Sequence, residues 1–209
     1  MKDSFYSVKR DFENEIIIEK SRFIATVKRV YNEDEAKNFV LSVKNKYSDA
    51  THNCYAYIAD ENGFFIKFSD DGEPQGTAGL PMLEALKARS LFNTAVVVTR
   101  YFGGIKLGTG GLARAYGDSV LSVLERAGIT ENIYSAILKA EVSFSLYPII
   151  LKYLKGQKCN VLNTEFLNDG VAINFAIPKL SEDKVRKDFL NYSSGKCDIL
   201  VQNYEYCEY

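Results

Sequence analysis

The chain has 209 residues, with a hydrophobic fraction of 46%, a charged fraction of 25% and a formal net charge of −1. That length exceeds a usual domain of about 100–150 residues but cannot supply three full cores, and the mix of apolar and charged residues excludes bulk disorder. The near-zero charge excludes a global field attracting nucleic acid or anionic membrane, so any such binding needs a local patch. The four cysteines, Cys54, Cys159, Cys197 and Cys207, form no C-x-x-C pair. Nothing at the start resembles a secretory signal, and no apolar run reaches the roughly 18 residues of a membrane span. The expectation is a cytoplasmic protein with reduced thiols and no membrane partner.

In chain order, Ile16–Glu19 and Phe23–Val30 are β-branched runs separated by Lys20-Ser21-Arg22, which predicts an antiparallel hairpin. Asn32 followed by Glu35 three positions later forms a capping box, and Ala36, Phe39, Val40 and Val43 recur at helical spacing, predicting a helix to about Tyr47. Asn53–Ala59 and Phe64–Phe68 read as strands joined by the turn formers Asp60-Glu61-Asn62-Gly63. Thr77–Arg89 reads as a helix with Leu80, Leu83, Ala85 and Leu86 on its apolar side and Pro81 in its first turn. Ala95–Thr99 is a buried-strand pattern that runs into a glycine-rich loop and a helix from about Leu112 to Ala127, with Gly128 as its C′ residue.

From Ser135 the pattern restarts as strand 136–144, helix 148–155, strand 159–167 and a turn at Asn168-Asp169-Gly170, then strand 171–177, helix 182–192 and strand 198–204. This β-α-β-β-α-β order is that of a ferredoxin-like unit with both helices on one face of a small sheet. The fold class is therefore α+β, with two domains, 1–131 and 135–209, meeting at an exposed connection near 131–135.

Two segments could carry chemistry. In Phe68 to Gly79 the acids Asp70, Asp71 and Glu73 stand among Gly72, Gly76, Gly79 and Pro74. A turn at Asp71-Gly72 with Thr77 capping the next helix would account for them, yet the loop is longer than a connection requires, and such loops are more often functional. In Arg100 to Arg114, five glycines (Gly103, Gly104, Gly108, Gly110 and Gly111) fall within nine residues between a strand and a helix. Such loops bring backbone close to ligands, and N–H groups at a helix N-terminus favour phosphate. The spacing is neither a Walker sequence nor the dinucleotide fingerprint. Between Glu84 and Asp118 there is no acid, while Lys87, Arg89, Arg100, Lys106 and Arg114 are present. With Tyr101 and Phe102 beside them, these cations give the pairing of charge and aromatic faces expected of single-strand binding, unless the rings are core and the cations solvated. His52, the only histidine, lies two residues before Cys54; a structural or hydrogen-bonding role fits it better than metal or catalysis, since no four-ligand set accompanies it.

His52-Asn53-Cys54-Tyr55-Ala56-Tyr57, the 68–79 segment and the RYFGGIKLGTGGLARAY segment together resemble the Impact/YigZ family over about residues 15–130. The resemblance implies a first domain with the fold of domain two of ribosomal protein S-five, shared with domain four of elongation factor G, and a ferredoxin-like second domain similar to that factor's domain five. It also implies an association with translation, and it imports no catalytic residues. The leading expectation is an RNA or ribosome binder, with Arg100, Lys106 and Arg114 on phosphates and no cofactor. An enzyme acting on a phosphorylated small molecule, with Mg²⁺ on Asp70, Asp71 or Glu73, is the alternative. A third reading is an adaptor whose second domain offers its sheet to a protein partner, in keeping with nine basic and nine acidic residues from Ser135 onward.

Overall fold

The computed structural model describes residues 2–195, 197 and 199–209. It is a mixed α+β chain with antiparallel sheets, and it divides into two compact units, Met1–Thr130 and Glu131–Tyr209.

The first unit runs β1 (Ser4–Val8), β2 (Phe12–Ile18), β3 (Ser21–Arg29), α1 (Glu33–Lys46), β4 (His52–Ile58), β5 (Ile66–Ser69), α2 (Gly79–Ala88), β6 (Thr94–Tyr101) and α3 (Gly108–Ala127). β2–β6 form one antiparallel sheet in the order β2-β3-β6-β4-β5. The β2–β3 hairpin turns at Glu19 (φ 45°) and Lys20 (φ 63°), two left-handed residues as a tight hairpin requires. β1, a five-residue run too short to stand out among its charged flanks, is held by a bridge from Tyr6 to Leu91 and by the Phe92 N–H donating to Tyr6 O at 2.8 Å.

Both faces of this sheet are covered, which is why β6 reads as a continuous apolar run. Ala95 and Val97 of β6, with Tyr57 and Ala59, pack under Ala36, Phe39, Val40 and Val43 of α1. Val96 and Val98, with Cys54, Ala56 and Ile58, pack under α2 and α3. The Asn32 cap at α1 is present, with Asn32 Oδ1 accepting from the Glu35 N–H at 2.8 Å, while the Glu35 carboxylate reaches back one residue further than in a capping box and accepts from the Tyr31 N–H at 3.0 Å.

Two helices depart from the sequence pattern. In α2 the buried stripe is Gly79, Met82, Leu83 and Leu86, an i, i+3, i+4, i+7 set, so Leu80 lies off it and is 40% exposed. α3 begins at Gly108, one turn before Leu112, because Gly108, Gly110 and Gly111 carry no helical signal although the backbone is already helical there. It ends as expected, with Gly128 at φ 74° and its N–H on Leu124 O.

The connection expected near 131–135 is not a loop. A single strand, β7 (Ile129–Val142), runs through it with Asn132 and Ser135 fully buried. α4 (Tyr147–Lys155), β8 (Asn160–Phe166), β9 (Val171–Pro178), a 3-10 turn at Lys179–Ser181, α5 (Glu182–Ser193) and β10 (Ile199–Glu208) follow. The expected strand start at Asp198 lies outside the described residues. Within the second unit the strands pair antiparallel in the order β10-β7-β9-β8. Alternate residues Ala136, Leu138, Ala140 and Val142 of β7 and Val171, Ile173, Phe175 and Ile177 of β9 face Ile150 and Leu154 of α4 and Val185 and Phe189 of α5. Both helices therefore cover one face. No helix among the described residues is long and apolar enough to cross a membrane.

Candidate functional site

Register brings the two glycine-rich segments together. Across the sheet Phe23, Arg100 and His52 are direct neighbours on β3, β6 and β4, so they share the face that carries α2 and α3. The loop between β5 and α2 folds over them and sets Glu73 on top. Glu73 Oε1 accepts from Arg100 Nη1 at 2.6 Å and from the Tyr116 hydroxyl of α3 at 2.8 Å, with side-chain exposures of only 3% for Glu73 and 6% for Arg100. The Arg100 guanidinium lies 5.4 Å from the Phe23 ring centroid and 5.5 Å from that of Phe102, and its Nε has no partner. Arg100 is thus a buried, charge-compensated residue and not the exposed phosphate contact expected from the sequence.

The other two acids organise the loop. Asp70 accepts from the backbone N–H groups of Gly76 (2.9 Å), Ala78 (3.0 Å) and Gly79 (2.9 Å) at the start of α2. It does what Thr77 was expected to do, while the Thr77 hydroxyl donates to Pro74 O. Asp71, at φ 45°, accepts from Lys44 Nζ at 2.6 Å and from the Asn53 N–H at 2.7 Å. The three carboxylates point to three different sets of donors, and no group of three or more His, Cys, Asp or Glu among the described residues is placed to hold a metal. Asp70, Asp71 and Glu73, the residues expected to hold Mg²⁺, are each engaged by donors of the protein.

Burial raises the Asp70 carboxyl, but the hydrogen bonds from Gly76, Gly79 and Ala78 outweigh it and hold the group below its usual value. Its stabilisation is present above the unfolded carboxylate value of about 3.9 and is lost as pH falls through the lower folded value. Asp70→Ala should cost about 1–2 kcal/mol at neutral pH. Asp70→Asn should lose less stability than wild type as pH falls below about 4 in urea titrations. An acid limb that Asp70→Asn leaves unchanged would assign it to other groups.

His52 Nδ1 lies 2.8 Å from Asp71 O, which as a carbonyl can only accept, so Nδ1 donates, and Nε2 lies 3.9 Å from Glu73 Oε1. Cys54 donates to Asp70 O at 2.9 Å and contacts the Tyr116 hydroxyl at 3.4 Å. Burial, against the Tyr116 hydrogen bond and reinforced by Glu73, Asp71 and Asp70, pushes its thiol up to about 12, so it is no nucleophile. Burial likewise raises Tyr116.

The glycines divide by role. A Cβ on Gly103 would collide with the Lys20 carbonyl, one on Gly79 would sit 2.8 Å from Ser69 backbone, and one on Gly72 would touch the His52 ring at 3.4 Å. Gly111 packs on Leu107, whereas Gly76, Gly104, Gly108 and Gly110 border open space. Tyr101 points to the opposite face of the sheet, where its hydroxyl donates to Asp49 and Arg22 lies 5.2 Å from its ring. Arg114 is exposed further along α3.

Beside this cluster lies a pocket of about 380 Å³ lined by Glu73, Pro74, Arg100, Phe102, Lys106 and the first turns of α3 from Leu107 to Leu112. The helix start has no side-chain cap and no acid in its first turn, so its leading N–H groups are free for a ligand. Phe102 is half exposed beside it, and Lys106 makes no ion pair among the described residues. Glu73 is the residue whose role is least visible in the sequence; its signal there is an acid beside a proline in a loop that also holds Asp70 and Asp71.

A covered antiparallel sheet thus carries a carboxylate locked to a buried arginine beside an uncapped helix start. The Impact N-terminal domain family matches residues 19–124, and the chain belongs to the IMPACT family. It is 40% identical over 208 residues to the IMPACT family member YvyE of Bacillus subtilis, covering 100% of this chain and 95% of that one. It is 46% identical over 189 residues to the IMPACT family member YigZ of Escherichia coli, covering 88% and 91%. A crystal structure described as a hypothetical protein superposes with a TM-score of 0.62 at 30% identity, over 97% of this chain and 99% of that one.

Proposed function

We propose that this protein is a translation-associated RNA binder in which the first unit holds a single strand at the start of α3. The observation that carries this reading is the uncapped, acid-free N-terminus of a 20-residue helix opening into a pocket beside Lys106 and Phe102. N–H groups and an ammonium suit a phosphate, and an aromatic face suits a base. In this reading the first unit compares with domain two of ribosomal protein S-five, and the second is ferredoxin-like. The β-α-β-β-α-β order and the strand order fourth-first-third-second support the latter.

The test is single-stranded RNA binding as a function of salt. Lys106→Ala should weaken it and reduce the salt slope by roughly 0.7, the value of a single neutralised phosphate, and Phe102→Ala should weaken it without changing the slope. Lys184→Ala/Lys187→Ala, on α5, should change affinity little. Equal losses from both sites would leave only general electrostatics. The concave shape of the pocket favours a second reading, a phosphorylated small molecule; a mononucleotide binding as tightly as a long strand would select it. The exposed Val161, Leu162 and Phe166 on edge strand β8 support a protein partner for the second unit.

A further inference from the structure

We infer that the pocket reads the sugar as well as the phosphate, with Glu73 accepting the ribose 2′-hydroxyl and so selecting RNA over DNA. This rests on the RNA reading above and adds to it the class of strand that the site accepts. Glu73 lines the pocket, and its side chain is only 3% exposed. Oε1 is taken up by Arg100 and Tyr116, whereas Oε2 accepts no hydrogen bond from any described residue. One oxygen is engaged and the other is unpartnered.

The free charged and N–H groups of the pocket, apart from Glu73, are donors, the N–H groups at the start of α3 and Lys106, while Arg100 is taken up by Glu73 and Thr109 adds a hydroxyl. A carboxylate can only accept and repels phosphate. A fitting ligand must therefore be anionic at the α3 end and carry an uncharged donor at the Glu73 end. The 2′-hydroxyl is the donor that every ribonucleotide places near its phosphate and that DNA lacks. A guanine edge offers two adjacent donors and calls for both carboxylate oxygens, but only one is unpartnered here. The volume of about 380 Å³ lies at the small end of ligand pockets, about 300–1,000 Å³, consistent with one nucleotide unit. Arg100 and Tyr116 fix the direction of Oε2 before binding, and a strand without the hydroxyl leaves that oxygen desolvated and unpaired, the condition under which polar sites reject analogues most strongly.

Substitution of Glu73 disturbs the Arg100 pair, so the ligand is the better variable. Affinities of the wild-type chain for single-stranded oligouridine, its 2′-fluoro analogue and oligodeoxyuridine are compared at one salt concentration by fluorescence anisotropy. The 2′-fluoro sugar keeps an RNA-like pucker and removes the donor. The ribose strand should bind about tenfold more tightly than either analogue, the worth of one hydrogen bond to a charged group, and Phe102→Ala/Lys106→Ala should abolish that difference. Equal affinity for the ribose and 2′-fluoro strands, with binding still sensitive to Lys106, would overturn the inference and leave the RNA reading standing. So would a preference that follows the base and not the sugar, or a sugar preference that survives Phe102→Ala/Lys106→Ala. Absence of binding to any strand at low salt would overturn both readings.

Discussion

Arg100→Ala is expected to cost about 3–5 kcal/mol in urea denaturation, the largest single effect in the first unit. The change leaves the Glu73 carboxylate, 3% exposed, without its guanidinium partner at 2.6 Å, and it removes the cation beside Phe23 and Phe102. Glu73→Ala should cost a similar amount for the converse reason. Arg100→Met combined with Glu73→Gln should cost less than the sum of the single changes, since most of each loss is the penalty of an orphaned charge. Additive losses would show that the two residues are not coupled. A cost below about 1 kcal/mol for Arg100→Ala would show that the pair is solvated.

Gly103→Ala should be nearly as damaging, while its neighbour Gly104 tolerates the same change. A methyl at Gly103 has no room beside the Lys20 carbonyl, and the Gly103 N–H donates to Ser21 Oγ at 3.1 Å, so the loop and the β2–β3 turn would have to separate. Overpacking of this kind costs about 1–3 kcal/mol or more where backbone must move. Gly104 borders open space at φ 86°, so alanine there meets only the conformational penalty of about 1–2 kcal/mol. Thermal melts of the two variants should rank them in that order; a larger loss at Gly104 would mean that the close approach of the loop to the turn is not maintained.

Much of this architecture is legible in local pattern. The Asn32 cap, the apolar side of α1, the hairpins and the Gly128 terminus are set by neighbours within a few residues, and the structure has them. The strand over 131–135 is not legible, because β7 is held by β9 and β10, which lie far along the chain. The site is legible as two segments but not as a set of partners. A count of cations cannot distinguish Arg100, which pairs with Glu73 of the loop folded over it, from Lys106, which faces solvent. The same holds for Asp70, whose partners are backbone N–H groups that no composition reveals. The sequence shows what the glycines permit, and only geometry separates those that touch another strand from those that border space.

The central place of β6 has a consequence for how the chain acquires its shape. β2–β3 and β4–β5 are hairpins closed by nearby residues, but β3 and β4 do not pair with each other; each pairs with β6. During synthesis from the N-terminus the edges of β3 and β4 that β6 will join have no partner until Thr94–Tyr101 has been made. Arg100 lies on that strand, so the pairing that joins the hairpins also supplies the partner of Glu73. A chain interrupted before residue 100 would have neither the joined sheet nor the Arg100–Glu73 pair that borders the pocket.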